Sequence, residues 1–334
     1  MKTSFFKFAI ASILLASSVQ ANAQTRLIFA SESPAGTPNT VFFNSWAQKV
    51  NEQSKGSVHI EVRDGETLAN MITAYDRVSD DVVQIGWLIH SLVGSRFPLS
   101  DVSGLPFIGD DNVACSAAAW RVYKSGLLDA EYKDIVPIWF GCLTTNYLHW
   151  AKEPKSFDDL GGLKFRVSGK IPAQAIGLLG GTPISMTPGE MYEALQRGTV
   201  DGVATTWAGF EPYKLIEVTT THLEVPLGGI PSMHFMSKKK FESLPKDVQD
   251  VIKANSGEAA SRAAGAYFAS AAARARAPVA ASPNHKIVKL TPAQFDSWKK
   301  KVSVVTDTWM KERSGGDKVY AEFVKDYNDA VSGH

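Results

Sequence analysis

An arginine lies between two apolar residues in the stretch GGLKFRVSG, residues 161–169. Apolar and polar residues alternate along this stretch, as in a strand whose two faces differ, and Arg166 lies on the polar face between Phe165 and Val167. A guanidinium group needs an anionic partner if that end of the strand is buried. The partner is either an Asp or Glu elsewhere in the chain or an anion from solution, because no acid neighbours Arg166 on the strand.

Other side chains that could contact a ligand stand at or near the ends of predicted strands. In open α/β sheets ligands bind beyond the carboxyl ends of strands, so these positions are expected to form a pocket wall. Aromatic residues mostly pack in cores, and a core role is the alternative for each aromatic candidate. Besides Arg166, the candidates are Ser33, Trp87, Asn146, Thr205, Trp207, Phe210 and Met233.

The motifs of several common enzyme classes are missing from the sequence, which contains no GxSxG, HExxH, GxxxxGK[ST] or GxGxxG. These are the simplest signatures of serine hydrolases, zinc proteases and nucleotide-binding enzymes. The seven histidines are scattered singly, so no metal site is predicted. A secreted hydrolase would need a nucleophile and a base that only the fold brings together. We expect a binding protein without catalytic activity, metal or cofactor.

The chain begins with a segment typical of a secretory signal peptide. Lys2 and Lys7 precede the apolar run 8–15 and the small-residue tripeptide ANA at 21–23. The apolar run is too short to span a bilayer. We therefore expect cleavage after Ala23 and a periplasmic product.

Charge and cysteine content argue against several classes of partner and against redox or zinc chemistry at the cysteines. Removing the two lysines of the signal segment from the 35 basic residues leaves 33, against 34 acidic ones, so nothing favours nucleic acid or an anionic membrane. Cys115 and Cys142 fit neither a CxxC motif nor a zinc site. They form either a structural disulfide or two buried thiols. We expect a monomer.

The order of the predicted elements indicates an α/β protein of two domains. Strand, helix and strand follow one another over residues 27–62, which indicates a parallel layer, and a second such unit begins at residue 163. The alanine-rich stretch from Pro245 to about Ala281 predicts one helix of about 45 Å, long enough to brace both domains. The tail at 291–312 predicts a further amphipathic helix.

Three stretches of the sequence resemble one family of transport proteins. GGLKFRV, LLGGTPISMTPGEMYEALQRGTVDG and FMSKKKFESLPKDVQDVI are similar to the solute-binding proteins of tripartite ATP-independent periplasmic (TRAP) transporters, of the DctP type. The resemblance covers essentially the whole mature chain. It implies a two-lobed periplasmic binding protein fold, in which each lobe is a mixed sheet flanked by helices. It also implies capture of an organic acid by lobe closure and delivery to the small and large membrane subunits of a permease.

The resemblance also suggests where the two lobes begin and end. We expect lobe I to comprise residues 24–147 and 233–270, and lobe II to comprise residues 148–232 and 271–334. The long helix at about 245–281 is expected to bridge the hinge.

The resemblance assigns a role to the arginine of the GLKFRV strand. In the family this arginine holds the ligand's carboxylate by a bidentate salt bridge, a geometry that a guanidinium fork matches and a lysine does not. That role passes to Arg166.

Two departures from the family pattern concern the ligand. Binders of C4-dicarboxylates and sialic acid commonly carry DGQEN where this chain has DGVATTW, so Thr205 takes the place of the asparagine. They also tend to carry a second arginine near the position of Asn146. Loss of that cation, and the aromatic residue Trp207, favour a monocarboxylate with an aromatic or bulky apolar body. The alternatives are an aliphatic keto or hydroxy acid, and a role as the ligand-sensing partner of a receptor.

Overall fold

The computed structural model describes residues 24–93, 96–143 and 145–333 and contains two mixed sheets flanked by helices. The signal peptide predicted at residues 1–23 lies outside the described residues. In chain order the strands are β1 (Thr25–Ala30), β2 (Val58–Arg63), β3 (Ile85–Ile89), β4 (Ile135–Leu143), β5 (Tyr147–Trp150), β6 (Lys164–Val167), β7 (Thr182–Ser185), β8 (Gly202–Thr205), β9 (Thr221–Leu223), β10 (Ile230–Ser237) and β11 (Lys286–Val288).

The helices cover the faces of the two sheets and extend to the carboxyl-terminal end. No helix of the described residues is both long enough and apolar enough to cross a membrane. In chain order they are α1 (Pro38–Gln53), α2 (Ala74–Ser79), α3 (Asn112–Lys124), α4 (Lys170–Leu178), α5 (Met191–Gln196), α6 (Lys238–Ser243), α7 (Lys246–Ala254), α8 (Glu258–Ala281), α9 (Pro292–Val302), α10 (Val304–Glu312) and α11 (Gly316–Val331).

The strands of the two sheets are connected by three crossings of the chain. The first sheet has five strands in the order β2-β1-β3-β10-β4, and β10 runs antiparallel to both its neighbours. The second has six, in the order β11-β9-β5-β8-β6-β7. The chain passes from the first sheet to the second between β4 and β5, returns between β9 and β10, and passes to the second sheet again between β10 and β11. The expected α/β fold with two mixed sheets is confirmed.

The first strand–helix–strand unit has the parallel pairing that its sequence predicts. Pro38 occupies the first turn of α1, where its missing N–H costs no hydrogen bond. The apolar face of α1 is buried through Phe43, Trp46 and Val50, and β1 pairs with β2 in parallel. The same logic applies to β6, α4 and β7, because β6 and β7 are also parallel.

The structure differs from the predicted single helix at about 245–281. The chain leaves α7 after Ala254 and begins α8 at Glu258. Gly257, between them, has a φ of 98°, and its N–H donates to the carbonyl oxygen of Ile138 in β4 at 2.9 Å. A hydrogen bond to the sheet therefore replaces continuation of the helix. The 24 residues of α8 still contact both units of the protein, each unit being one sheet with the helices packed on it. They contact α3 and β4 of the first unit, and β11 and the turn at 207–209 of the second.

The carboxyl-terminal end also differs from the predicted lobe boundaries. We expected residues 271–334 in lobe II, but α11 packs on α3, beside the first sheet. Phe323 is buried there, and the Tyr327 hydroxyl accepts a hydrogen bond from the Asp111 N–H at 3.0 Å. The predicted tail helix is divided into α9 and α10, which meet at Ser303.

The two cysteines are bonded. Cys115 of α3 and Cys142 of β4 form a disulfide with a Cα–Cα distance of 5.8 Å. Of the two alternatives that the sequence leaves open, the structure has the disulfide, which ties α3 to the first sheet.

Candidate ligand-binding site

A cavity lies where the ends of strands from the two sheets face each other. It contains about 430 Å³ that no protein atom occupies, part of it open to solvent. Its polar side chains are Asn39, Arg166, Ser168, Thr205, Thr206 and Tyr213. Much of the remaining wall is apolar and includes Met71, Trp87, Ile89, Leu143, Pro188 and Ile230.

Arg166 is the cation of this cavity. It is 1% exposed, and its Nε and Nη2 donate to the carbonyl oxygen of Met186 at 3.0 and 2.8 Å. Among the residues that the structure describes, no Asp or Glu forms an ion pair with it. Burial lowers the pKa of Arg166 to about 10, with Tyr213 and Glu190 acting in the opposite direction. The guanidinium therefore stays charged at neutral pH.

The loop after β7 fixes the orientation of the arginine. β6 and β7 pair in parallel, so Met186 follows its strand at the same edge of the sheet as the end of β6. A capping box between Thr187 and Glu190 then sets the path of the next turn. Because one edge of the guanidinium binds the Met186 carbonyl, Nη1 remains without a hydrogen bond to the described residues. That edge can receive an anion from solution.

Three of the residues predicted from the sequence line the same cavity: Arg166, Trp87 and Thr205. Trp87 lies in β3 and stacks on His234, with 5.6 Å between ring centroids. Thr205 ends β8, and its carbonyl oxygen lies 3.2 Å from Nε2 of His149. The apolar ring and the hydroxyl thus reach the cavity from opposite sheets.

Asn146 and Met233 lie elsewhere. The backbone N–H and the Nδ2 of Asn146 both donate to the carbonyl oxygen of Gly228, at 2.7 and 3.0 Å. Asn146 therefore ties the connection between β4 and β5 to the connection between β9 and β10. Met233 is fully buried in β10, opposite Phe140, and belongs to the core.

Trp207 and Phe210 lie behind the cavity wall. Both rings pack on His149 and His222 in the core of the second unit, and Nε1 of Trp207 donates to Glu224 at 3.0 Å. Glu224 also pairs with Arg276 of α8. The neighbours of Trp207 line the cavity, so its ring supports the wall from outside.

Ser33 stands one residue away from the cavity. Its hydroxyl donates to Glu32 at 3.0 Å and accepts from Nδ2 of Asn39 at 3.1 Å. Asn39, in the first turn of α1, is the side chain that lines the cavity. No pattern in the sequence singles out Asn39, Met71 or Tyr213, although Asn39 does follow the loop at the end of β1.

The outer side of the cavity is acidic. Tyr213 and Pro212 line both the cavity and a wider depression outside it. That depression is also lined by four glutamates, with Lys214 as its basic residue. Burial raises the pKa of one of them, Glu32, to about 7, and the charge of Glu66 adds to the effect. The cavity thus has a cation at one side and carboxylates at its entrance.

The two units also touch directly beside the cavity. Ser91, after β3, donates a hydrogen bond from its hydroxyl to the carbonyl oxygen of Ser168, after β6. Gly169 follows with a φ of 134°, and a Cβ placed there would lie 2.5 Å from the Cβ of Ser91. The approach of the two loops depends on this glycine.

Known proteins similar to this chain share its fold. A TRAP solute-binding protein from Rhodoferax ferrireducens, solved with copurified benzoate, has a TM-score of 0.87 and 26% identity, covering 93% of this chain and 99% of its own. A TRAP solute-binding protein from a marine metagenome, specific for aromatic acid ligands and solved with 3-hydroxybenzoate, has a TM-score of 0.86 and 26% identity, covering 92% and 98%.

Sequence relatives point to the same family. A solute-binding protein of Chromohalobacter salexigens is 25% identical over 231 residues, 68% of each chain. The family model for bacterial extracellular solute-binding protein, family 7 (DctP), matches residues 29–313. The expected family is confirmed: this chain belongs to the DctP family and is a TRAP solute-binding protein.

Proposed function

We propose that this protein binds an aromatic or bulky apolar monocarboxylate in the cavity between its two units. The observation that carries the proposal is Arg166, a buried cation without an ion-pair partner among the described residues, in a largely apolar cavity. A carboxylate on the free edge of the guanidinium supplies the missing charge. The benzoate and 3-hydroxybenzoate of the two similar structures support this ligand class.

The charge distribution favours one carboxylate over two. Among the described residues that line the cavity, Arg166 is the one basic side chain. A second carboxylate would have no matching cation there and would approach the glutamates at the entrance. Because a buried unpaired charge is costly, dicarboxylates should bind weakly.

The transport role follows from the family, whose members work with TRAP membrane permeases. We propose that ligand binding closes the two units and that the closed protein, a monomer released after cleavage at Ala23, delivers its ligand to the small and large permease subunits. Burial of the ligand's charge against Arg166 stabilises the closed form, so the permease can distinguish loaded protein from empty protein.

Titration of the purified protein with benzoate, phenylacetate and succinate tests the ligand class. We expect the two aromatic acids to bind and succinate to bind far more weakly. Arg166→Ala should weaken benzoate binding by about two to four decades, because removal of one partner of a buried pair costs about 3–5 kcal/mol. Lys164→Ala, on the same strand but exposed, is the matched control and should bind normally. Tight succinate binding, or wild-type affinity in Arg166→Ala, would contradict the proposal.

A further inference from the structure

A short relay of hydrogen bonds fixes the amide of Asn39 at the cavity wall. Asn39 Nδ2 donates to the Ser33 hydroxyl at 3.1 Å, and that hydroxyl donates to the Glu32 carboxylate at 3.0 Å. All three residues are buried, with exposures of 7%, 0% and 8% for Asn39, Ser33 and Glu32. The relay is therefore largely shielded from solvent: its Asn39 end lines the cavity, and its Glu32 end lines the depression outside it.

The direction of the relay follows from the chemistry of its members. An ionised carboxylate only accepts hydrogen bonds, so Ser33 must give its proton to Glu32 and accept from Asn39. The amide nitrogen of Asn39 consequently faces Ser33. Its carbonyl oxygen Oδ1 is left without a hydrogen bond to any described residue. Burial raises the pKa of Glu32 to about 7. At pH 8, which is above this value, the carboxylate is mostly ionised and this orientation holds.

The wall around Asn39 offers a ligand few other acceptors. The side chains that the first unit contributes to the cavity besides Asn39 are Met71, Trp87, Ile89, Leu143 and Ile230. None of these side chains carries an oxygen. Among the described residues, Oδ1 of Asn39 is therefore the one side-chain oxygen of the first unit that lines the cavity where Arg166 would hold a ligand.

We propose that Asn39 determines specificity by accepting a hydrogen bond from the ligand. Among acids that Arg166 holds, those that carry a hydroxyl or amino group on the part facing α1 bind more tightly than the same acids without it. The inference rests on the proposed function, since it concerns the body of a carboxylate ligand already bound at Arg166. A bound ligand without a donor covers this oxygen without pairing it, and sites built to hydrogen-bond a substituent reject the analogue that lacks it.

The experiment compares ligand pairs that differ only in the donor. Dissociation constants for benzoate, 3-hydroxybenzoate and 4-hydroxybenzoate are measured at pH 8 in the wild type, Asn39→Leu, Ser33→Ala and Asn44→Leu. Asn44 lies on the same helix but is exposed and does not line the cavity, so Asn44→Leu is the matched control. In the wild type and the control, the better hydroxybenzoate should bind about tenfold more tightly than benzoate.

The variants separate this inference from the proposed function. In Asn39→Leu benzoate should still bind, but the better hydroxybenzoate should no longer bind more tightly than benzoate. Ser33→Ala, which releases the amide without altering the cavity lining, should lower the preference and provides a second test if Asn39→Leu does not fold. Benzoate binding with an unchanged preference in both variants would overturn the role of Asn39 and leave the proposed function intact. Failure of all three acids to bind the wild type would overturn both.

Discussion

Replacement of Gly169 by alanine should weaken ligand binding without any contact to the ligand. A Cβ at this position would lie 2.5 Å from the Ser91 Cβ and 3.1 Å from the Ser91 carbonyl oxygen. Non-bonded carbon atoms normally approach to about 3.5–4.0 Å. The two loops would therefore have to separate by about 1 Å, and because one loop belongs to each unit, the separation opposes closure around the ligand.

Gly169→Ala has two energetic costs, a steric one that lowers the affinity and a backbone one that lowers the free energy of unfolding. Overpacking of this kind costs about 1–3 kcal/mol, which corresponds to about a 5- to 150-fold loss of affinity if it acts only in the closed form. The positive φ of Gly169, 134°, adds about 1–3 kcal/mol of backbone strain for alanine. That strain is present in open and closed protein alike, so it lowers the free energy of unfolding and leaves the affinity unchanged.

A double-mutant cycle with Ser91→Gly isolates the steric contribution. Affinity for benzoate is measured by calorimetry in the wild type, in each single variant and in the double variant, and the free energy of unfolding is measured without ligand. Ser91→Gly removes the Cβ that the new Cβ meets, together with the hydroxyl that bonds to Ser168, so Gly169→Ala should cost much less affinity in the Ser91→Gly background than in the wild type. Gly162→Ala is the control: Gly162 has a φ of 76° but no atom within 4 Å of an added Cβ, so it should lose stability alone. Wild-type affinity in Gly169→Ala, or an equal cost of Gly169→Ala in both backgrounds, would refute the steric account.

Two further predictions concern stability. Replacement of both cysteines by alanine should lower the free energy of unfolding by about 3–4 kcal/mol, because the disulfide closes a loop with a sequence separation of 27; urea unfolding of oxidised wild type and variant measures the difference, and equal stability would contradict it. Stability should also fall with pH below about 6.5, because burial lowers the pKa values of four histidines and each takes up a proton on unfolding. Two buried carboxyl groups, whose pKa values are raised to about 7, oppose this down to about pH 4.5. The histidines outnumber these two carboxyl groups, so the loss of stability with falling pH keeps its sign; urea unfolding at several pH values should show it from about pH 6.5 and more steeply below pH 4.5, and constant stability from pH 6.5 to 4.5 would contradict it. The histidines are His90, His149, His222 and His234.

The sequence predicted the fold well because the signals for its elements are local. Alternating apolar residues mark the strands, and Pro38 and the capping box at Thr187 mark helix starts. The division of the long helix is not local. Gly257 could have continued or ended the helix, and its hydrogen bond to Ile138, more than 100 residues earlier, decides the outcome.

The site was predicted only in part for a related reason. Arg166, Trp87 and Thr205 lie within or at the end of a strand, so the period of the strand fixes the direction of their side chains. Trp207 and Phe210 follow the strand in a turn, where the position of each ring depends on partners such as His149 and Glu224 that only the fold brings near. Asn39 is chosen by its bond to Ser33, another contact that no periodicity reveals.

Charge at the cavity and contact between the units act on the same equilibrium. Arg166 is buried and its direct hydrogen-bond acceptor is the neutral carbonyl of Met186, so without an anion the cation is poorly compensated. The contact of Ser91 with Ser168 favours closure, and the unpaired charge opposes it in the empty protein. A bound carboxylate removes only the second effect. Under the proposed function, closure is coupled to a ligand that brings one negative charge, and this coupling would let a permease distinguish loaded protein from empty protein.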